Sequence, residues 1–252
     1  MKSPDEVKKE LLCGWERVLG DMWYGPTNFG TINGIPIEIN VLTVVMTWIT
    51  MAIVALVGYL AVKNLSIDKP GRLQVTFETV YTFLRDIIFD NITSQKRATS
   101  VMPIVLSLFV FIWFANMLGM IPMMDSPTGD VNTTIGLALM VFIGIQVLGI
   151  KDKGLSYFKH YVEPYPFFLP LVIVEEIAKP VTLGFRLFGN IFAKKMFTLV
   201  LLGMIPITAN FMGGFIPHVI WLAFGIFVGT IQAFIFSMLT IVYTAQAVNK
   251  HH

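Results

Sequence analysis

Val172–Met196, VIVEEIAKPVTLGFRLFGNIFAKKM, lies among apolar residues yet carries two glutamates, three lysines, an arginine and a proline. Along an α-helix each residue advances about 100°. With Glu175 at zero, Lys179 falls at roughly 40°, Thr182 at roughly −20°, Arg186 at roughly 20°, Gly189 at roughly −40° and Asn190 at roughly 60°. These positions form one stripe. Glu176 and Lys194 flank it at roughly 100°, and the opposite side is Ile, Val, Leu and Phe. A charge at mid-membrane costs about 2.5–3.5 kcal/mol. Glu175 or Glu176 can offset that by pairing with Lys179 at helical spacing. Arg186 has no acid three or four positions away on either side. Its guanidinium cannot shed its proton, so it needs a partner on another helix or another chain. Ionisable groups in a membrane mark ion paths by default, and Arg186 is the first candidate.

The rest of the chain is composed for lipid. Of 252 residues, 55% are hydrophobic and 13% charged, where soluble domains carry about one quarter. Mean hydropathy is +0.72. A formal charge of +2 without a basic tract argues against nucleic acid as a partner. The single cysteine, Cys13, excludes an internal disulfide and a cysteine-built metal site. Neither a metal nor a cofactor is expected. No apolar h-region follows the charged start MKSPDEVKKE, so the membrane spans themselves are expected to direct insertion.

Runs near twenty apolar residues predict spans over Val41–Val62, Val101–Met124 and Thr133–Ile150. Two longer, less clean stretches follow, Phe167–Met204 and Gly214–Val248, for about five membrane helices in an all-α polytopic protein. Lys63, Lys69, Arg72, Arg85, Lys96 and Arg97 fill one loop, and Lys151, Lys153 and Lys159 another. The connections DSPTGD and PITANF hold no Lys or Arg. By the positive-inside rule the basic loops and the C-terminus are cytoplasmic and the N-terminus outside. The four basic residues of the N-terminal segment oppose this mildly and are accompanied by six acids. Residues 1–40 then read as an extracytoplasmic amphipathic segment and 41–252 as a single ion-translocating membrane domain. SPDEVKKELLCGWERVLG has a capping serine, an early proline and an apolar face, and so reads as a surface helix. DKPGRLQVTFETVYTFLRDIIFDNI reads the same way on the cytoplasmic side.

A continuous helix over Phe167–Met204 would run roughly 55 Å, against a hydrocarbon core of about 30 Å. Pro180 can kink it. With no turn signal inside, one steeply tilted helix is expected rather than a hairpin, and the last stretch has similar excess length. That last helix carries a second stripe: Gly225, Gly229, Gln232, Phe236, Thr240 and Tyr243. Glycines four apart admit a close neighbour. A glutamine in lipid needs hydrogen-bond partners, and Asn190 or Arg186 can supply them. His218 stands near the outer end, as an interface residue or a proton relay.

KPVTLGFRLFGNIFA closely resembles the a subunit of rotary, F-type ATP synthases, GTIQAFIFSMLTIVY resembles that family's second signature, and FANMLGMIP a third. The likeness covers most of the chain beyond about Val41. It implies a stationary subunit beside a ring of c subunits, with a b-subunit peripheral stalk, a catalytic soluble sector and the bilayer as further partners. It implies two half-channels that carry ions to and from c-ring carboxylates, coupling ion flow to rotation and ATP synthesis. Arg186 would stand between them, Asn190 and Gln232 would line its neighbourhood, and Glu175 and Glu176 would polarise one half-channel. Many relatives carry an acid near the position of Lys195, at times balanced by a histidine near Gly225. Here Lys194 and Lys195 are each either a proton carrier that gives up its charge when buried, or a side chain snorkelling toward headgroups.

Protons and Na⁺ are alternatives, because the choice depends mainly on c-subunit ligands. A secondary transporter or antiporter subunit is a rival, but the chain shows no half-to-half similarity and an odd span count. An intramembrane enzyme would need HExxH, GxSxG or similar, and nucleotide binding a GxxxxGK[ST] loop; the sequence has none of these. ATP chemistry is therefore assigned to partner subunits, and a bacterial plasma membrane is the expected location.

Overall fold

A backbone in lipid must satisfy its own N–H and C=O groups, and an α-helix does this within one segment. The computed structural model describes residues 27–32, 35–63, 70–121, 124–154, 167, 169–204 and 211–248. In chain order these form β1 (Thr27–Ile32), β2 (Ile35–Ile39), α1 (Val41–Lys63), α2 (Arg72–Asn91) and α3 (Gln95–Leu118). A 3₁₀ turn, Pro127–Gly129, precedes α4 (Val131–Lys153), α5 (Leu169–Met204) and α6 (Phe211–Val248). Val41–Lys63, Gln95–Leu118, Val131–Lys151 and Val219–Val248 are long and apolar enough to cross a membrane. α5 has ample length but carries the charged stretch read above. The protein is a polytopic, all-α membrane protein in this region.

Contacts divide the chain into Met1–Ile49 and Thr50–His252. In the first unit, β1 and β2 pair antiparallel, Thr27 opposite Ile39 and Ile32 opposite Ile35, with an irregularity between Asn28 and Gly30. This hairpin was not anticipated, although Asn33-Gly34 between two runs rich in Thr, Phe and Ile is a strong hairpin signal. The surface helix expected over Ser3–Gly20 lies outside the described residues.

In the second unit, α2 forms where a surface helix was expected and buries Gln74, Leu84 and Ile88. α3 begins and ends earlier than the predicted Val101–Met124. Its polar start, Gln95–Ser100, is helical without being apolar, which hydropathy cannot detect. At its end, a side chain on Gly119 would lie 2.6 Å from Ser126 Cβ, so glycine lets the connection fold back here. Asp130 caps α4, accepting from the Asn132 N–H at 2.9 Å.

α5 and α6 are continuous through Pro180 and Pro217, so neither is a hairpin. Their 36 and 38 residues give lengths of roughly 54 and 57 Å, well beyond the bilayer core, which they span only by leaning or projecting. α3, α4, α5 and α6 share one core, centred on Ile112, Ala138, Leu187 and Phe236. A second core joins α2, α3 and the end of α6 through Leu84, Ile88, Val105 and Ile241. Arg97 Nη1 donates to the Val248 carbonyl at 2.9 Å, tying the start of α3 to the end of α6.

α3 and α6 approach closely at Gly229, where an added Cβ would stand 3.2 Å from Asn116 Cβ and 3.3 Å from Met117 Cε. Gly229→Leu is expected to force them apart at a cost of about 1–3 kcal/mol. A lower melting temperature of the detergent-solubilised protein, relative to Gly58→Leu at a glycine with open space around it, checks this.

Candidate functional site

α5 has two unlike faces. Leu183, Leu187 and Ile191 are buried in the shared core. Glu175, Thr182, Arg186, Gly189 and Asn190 are exposed, as are the apolar Val181, Phe185 and Phe192 beside them. The polar stripe therefore points away from the chain's own interior. Among the described residues, no carboxylate lies within ion-pair distance of Arg186 and no acceptor hydrogen-bonds it. That leaves five donors on a group that cannot be neutralised.

The acids earlier on α5 behave differently. Lys179 is ion-paired with Glu176 and stands 3.9 Å from Glu175. Gln146 of α4 donates to the second carboxylate oxygen of Glu176 at 3.1 Å. The Lys179 ammonium also lies 5.8 Å from the centroid of the Tyr243 ring on α6. Glu176 and Lys179 are thus the hub of a polar contact joining three helices. The Glu175 side chain is 68% exposed and only loosely held.

One to two turns beyond Arg186, a cleft of about 270 Å³ opens between α3, α5 and α6. Asn116, Asn190, Lys194, Gly225, Gly229 and Gln232 contribute to its lining, with Trp221 and Phe224. Asn190 Nδ2 donates to Gln232 Oε1 at 2.5 Å, so the expected amide pair forms and Arg186 is not the glutamine's partner. Gln232 is 2% exposed, and its Nε2 has no hydrogen-bond partner among the described residues. Asn116 Nδ2 donates to the Gly229 carbonyl at 3.0 Å.

The adjacent lysines diverge. Lys194 lies over Gly225, where an added Cβ would stand 3.1 Å from its Cε. Lys195 instead reaches the α3–α4 connection and pairs with Asp125 at 2.8 Å. His218 falls within α6 near its start, but its side chain lies outside those described.

Sequence reasoning did not single out Asn116, Gln146, Asp125 or the role of Tyr243. Asn116 and Gln146 carried the same signal as Gln232, an amide in an otherwise apolar helix. Asp125 sits in a connection with no periodicity to relate it to α5.

The hub predicts an asymmetry between neighbouring acids. Glu176→Ala removes the acceptor that Lys179 and Gln146 share and is expected to destabilise by about 1–3 kcal/mol. Glu175→Ala removes only a loose, exposed contact and is expected to leave stability unchanged. Thermal melts of the two variants side by side measure the difference.

Comparison with known proteins identifies the family. The sequence profile described as ATP synthase A chain matches residues 44–245. ATP synthase subunit a of Desulforamulus reducens is 49% identical over 211 residues, covering 83% of this chain and 80% of that one. The subunit a of Alkalihalophilus pseudofirmus is 39% identical over 229 residues, covering 85% and 94%. That of Bacillus subtilis is 35% identical over 245 residues, covering 89% and 98%. A match over this span, with relatives at this identity and coverage, means that the chain belongs to the ATP synthase A chain family, membrane-sector subunits of the F-type ATP synthase that act in ion transport and ATP synthesis within a multi-subunit complex.

Proposed function

We propose that this chain is the stationary ion-channel subunit of its complex, and that its two half-channels carry protons to and from carboxylates on a ring of c subunits. The observation behind this reading is the outward Arg186, without an acid partner among the described residues, on a face where Val181, Phe185 and Phe192 are also exposed. Such a face suits an apolar partner that brings its own carboxylate. At about 4 Å and an effective dielectric near 20, that attraction is worth about 4 kcal/mol. It holds an arriving carboxylate ionised and so favours release of its proton. The same fixed charge repels a cation that would otherwise leak straight across.

The two halves of the path lie on opposite sides of Arg186 along α5. The Glu175–Glu176–Lys179 hub precedes it by roughly 10–16 Å, and the Asn190–Lys194 cleft follows by roughly 6–12 Å. With the basic loops inside, the hub belongs to the cytoplasmic half-channel and the cleft to the extracytoplasmic one. The N-terminus is then outside and the C-terminus cytoplasmic, in a bacterial plasma membrane. A buried amide donor without a partner costs about 1–3 kcal/mol. The unpaired Gln232 Nε2 therefore favours water in the cleft. Asn190 and Gln232 fix each other beside Arg186, and Lys194 is the lysine placed to touch the path. Among the described residues the cleft lining holds amides and an ammonium. The c-ring supplies the moving partner, while a b-subunit stalk holds this chain against rotation.

Arg186→Ala is expected to abolish ATP-driven proton pumping and ATP synthesis in membrane vesicles. Arg186→Lys is expected to keep less than about a tenth of either, because a compact ammonium lacks the planar fork. Full activity in the alanine variant would overturn the proposal, and Na⁺-dependent pumping in the parent would reassign the ion.

A further inference from the structure

We infer that Asp125 and Lys195 form a latch that holds the α3–α4 connection across α5 and thereby sets the outer mouth of the cleft. The inference rests on the ion-channel reading of that cleft and assigns Lys195 a positioning role, not that of a proton carrier.

The latch grips the connection from outside. Lys195 Nζ lies 2.8 Å from Asp125 Oδ1, and the two side chains are 37% and 43% exposed. The lysine stem crosses the 3₁₀ turn at Gly129, where an added Cβ would stand 2.9 Å from Nζ and 3.1 Å from Cε. That same Cβ would lie 3.4 Å from Ile191 Cγ2, a wall of the cleft.

Hydrogen bonds hold the connection from inside. Ser126 Oγ donates to the Ala115 carbonyl at 2.9 Å and lies 2.8 Å from Thr128 Oγ1. Thr128 Oγ1 in turn reaches Asn116 Oδ1 at 3.5 Å. Ser126, Thr128 and Asn116 are all buried, and Asn116 lines the cleft. A polar thread therefore runs from the residue next to Asp125 down to the cleft wall.

Half-exposed ion pairs contribute about 0–1 kcal/mol to folding. The consequence of this one is accordingly positional. Releasing it frees the turn to move against Ile191 and draws the Thr128 hydroxyl off Asn116. Other nearby charges are engaged elsewhere: Asp130 caps α4, and Lys194 lies over Gly225.

The test uses the assembled complex in membrane vesicles. Asp125→Asn and Lys195→Gln are compared with the exchanged pair Asp125→Lys/Lys195→Asp. Readouts are ATP-driven proton pumping and passive proton conductance after the soluble sector is stripped. Both are normalised to the amount of this chain that co-purifies with the catalytic sector. Each single variant is expected to lose about three- to tenfold per assembled complex, as small displacements at a path do, with at least half restored in the exchange. Parent-like rates in the single variants overturn the inference, as do an exchanged pair no better than the worse single or losses that merely track assembly. Arg186→Ala in the same vesicles separates the two levels. If it pumps normally the ion-channel reading fails, whereas silent latch variants beside a dead Arg186→Ala refute the latch alone.

Discussion

A guanidinium that cannot be discharged, on an exposed helix face and without an acid partner among the described residues, is the constraint around which the rest of the structure is arranged. Left in lipid, Arg186 would carry a desolvation cost with nothing to offset it. Its neighbours Leu183 and Leu187 pack inward and fix the azimuth at which it points out. Helix α5 thus holds its charge to a defined face, and a rigid core behind that face keeps it there.

The other polar groups of this region sort by whether their needs are met within the chain. Glu176, Lys179 and Gln146 satisfy one another and bind α4 to α5. Asn116 is spent on the Gly229 carbonyl, at the point where glycine lets α3 and α6 touch. Asn190 and Gln232 are half satisfied, one bond made and one buried donor left over. Arg186 is satisfied by nothing among the described residues. Along α5 this is a gradient from structural to available polarity, and the available end lies where a moving partner could reach it. Helix α5 carries the hub, the arginine and the cleft as successive stations over residues 175–194, roughly 28 Å of one unbroken helix.

Much of this was legible in the sequence, because lipid imposes few solutions. The long apolar helices, the unbroken α5 and α6 and the position of helix α2 followed from run length, helical periodicity and the lack of an internal turn signal. The Asn190–Gln232 pair followed from the rule that an amide in an apolar helix needs a partner. What stayed hidden depends on groups without periodic relation. The start of α3 at Gln95 is polar and helical together, so hydropathy placed it too late. The β1–β2 hairpin announced itself in Asn33-Gly34, but in a segment read for helical faces alone. The divergence of Lys194 and Lys195 could not be read either, since one answers to a missing side chain at Gly225 and the other to an acid in a connection.

The central claim is that the exposed face around Arg186 meets carboxylate-bearing helices of another polypeptide. Gly189 lies on that face with open space around it, one turn from Arg186. A photo-reactive side chain placed there, in membranes containing the whole complex, tests the claim most directly. The expected product joins this chain to a small subunit that carries a membrane carboxylate, and its yield falls when that ring is removed. A cross-link confined to this chain's own helices, or to lipid alone with the ring present, would contradict it.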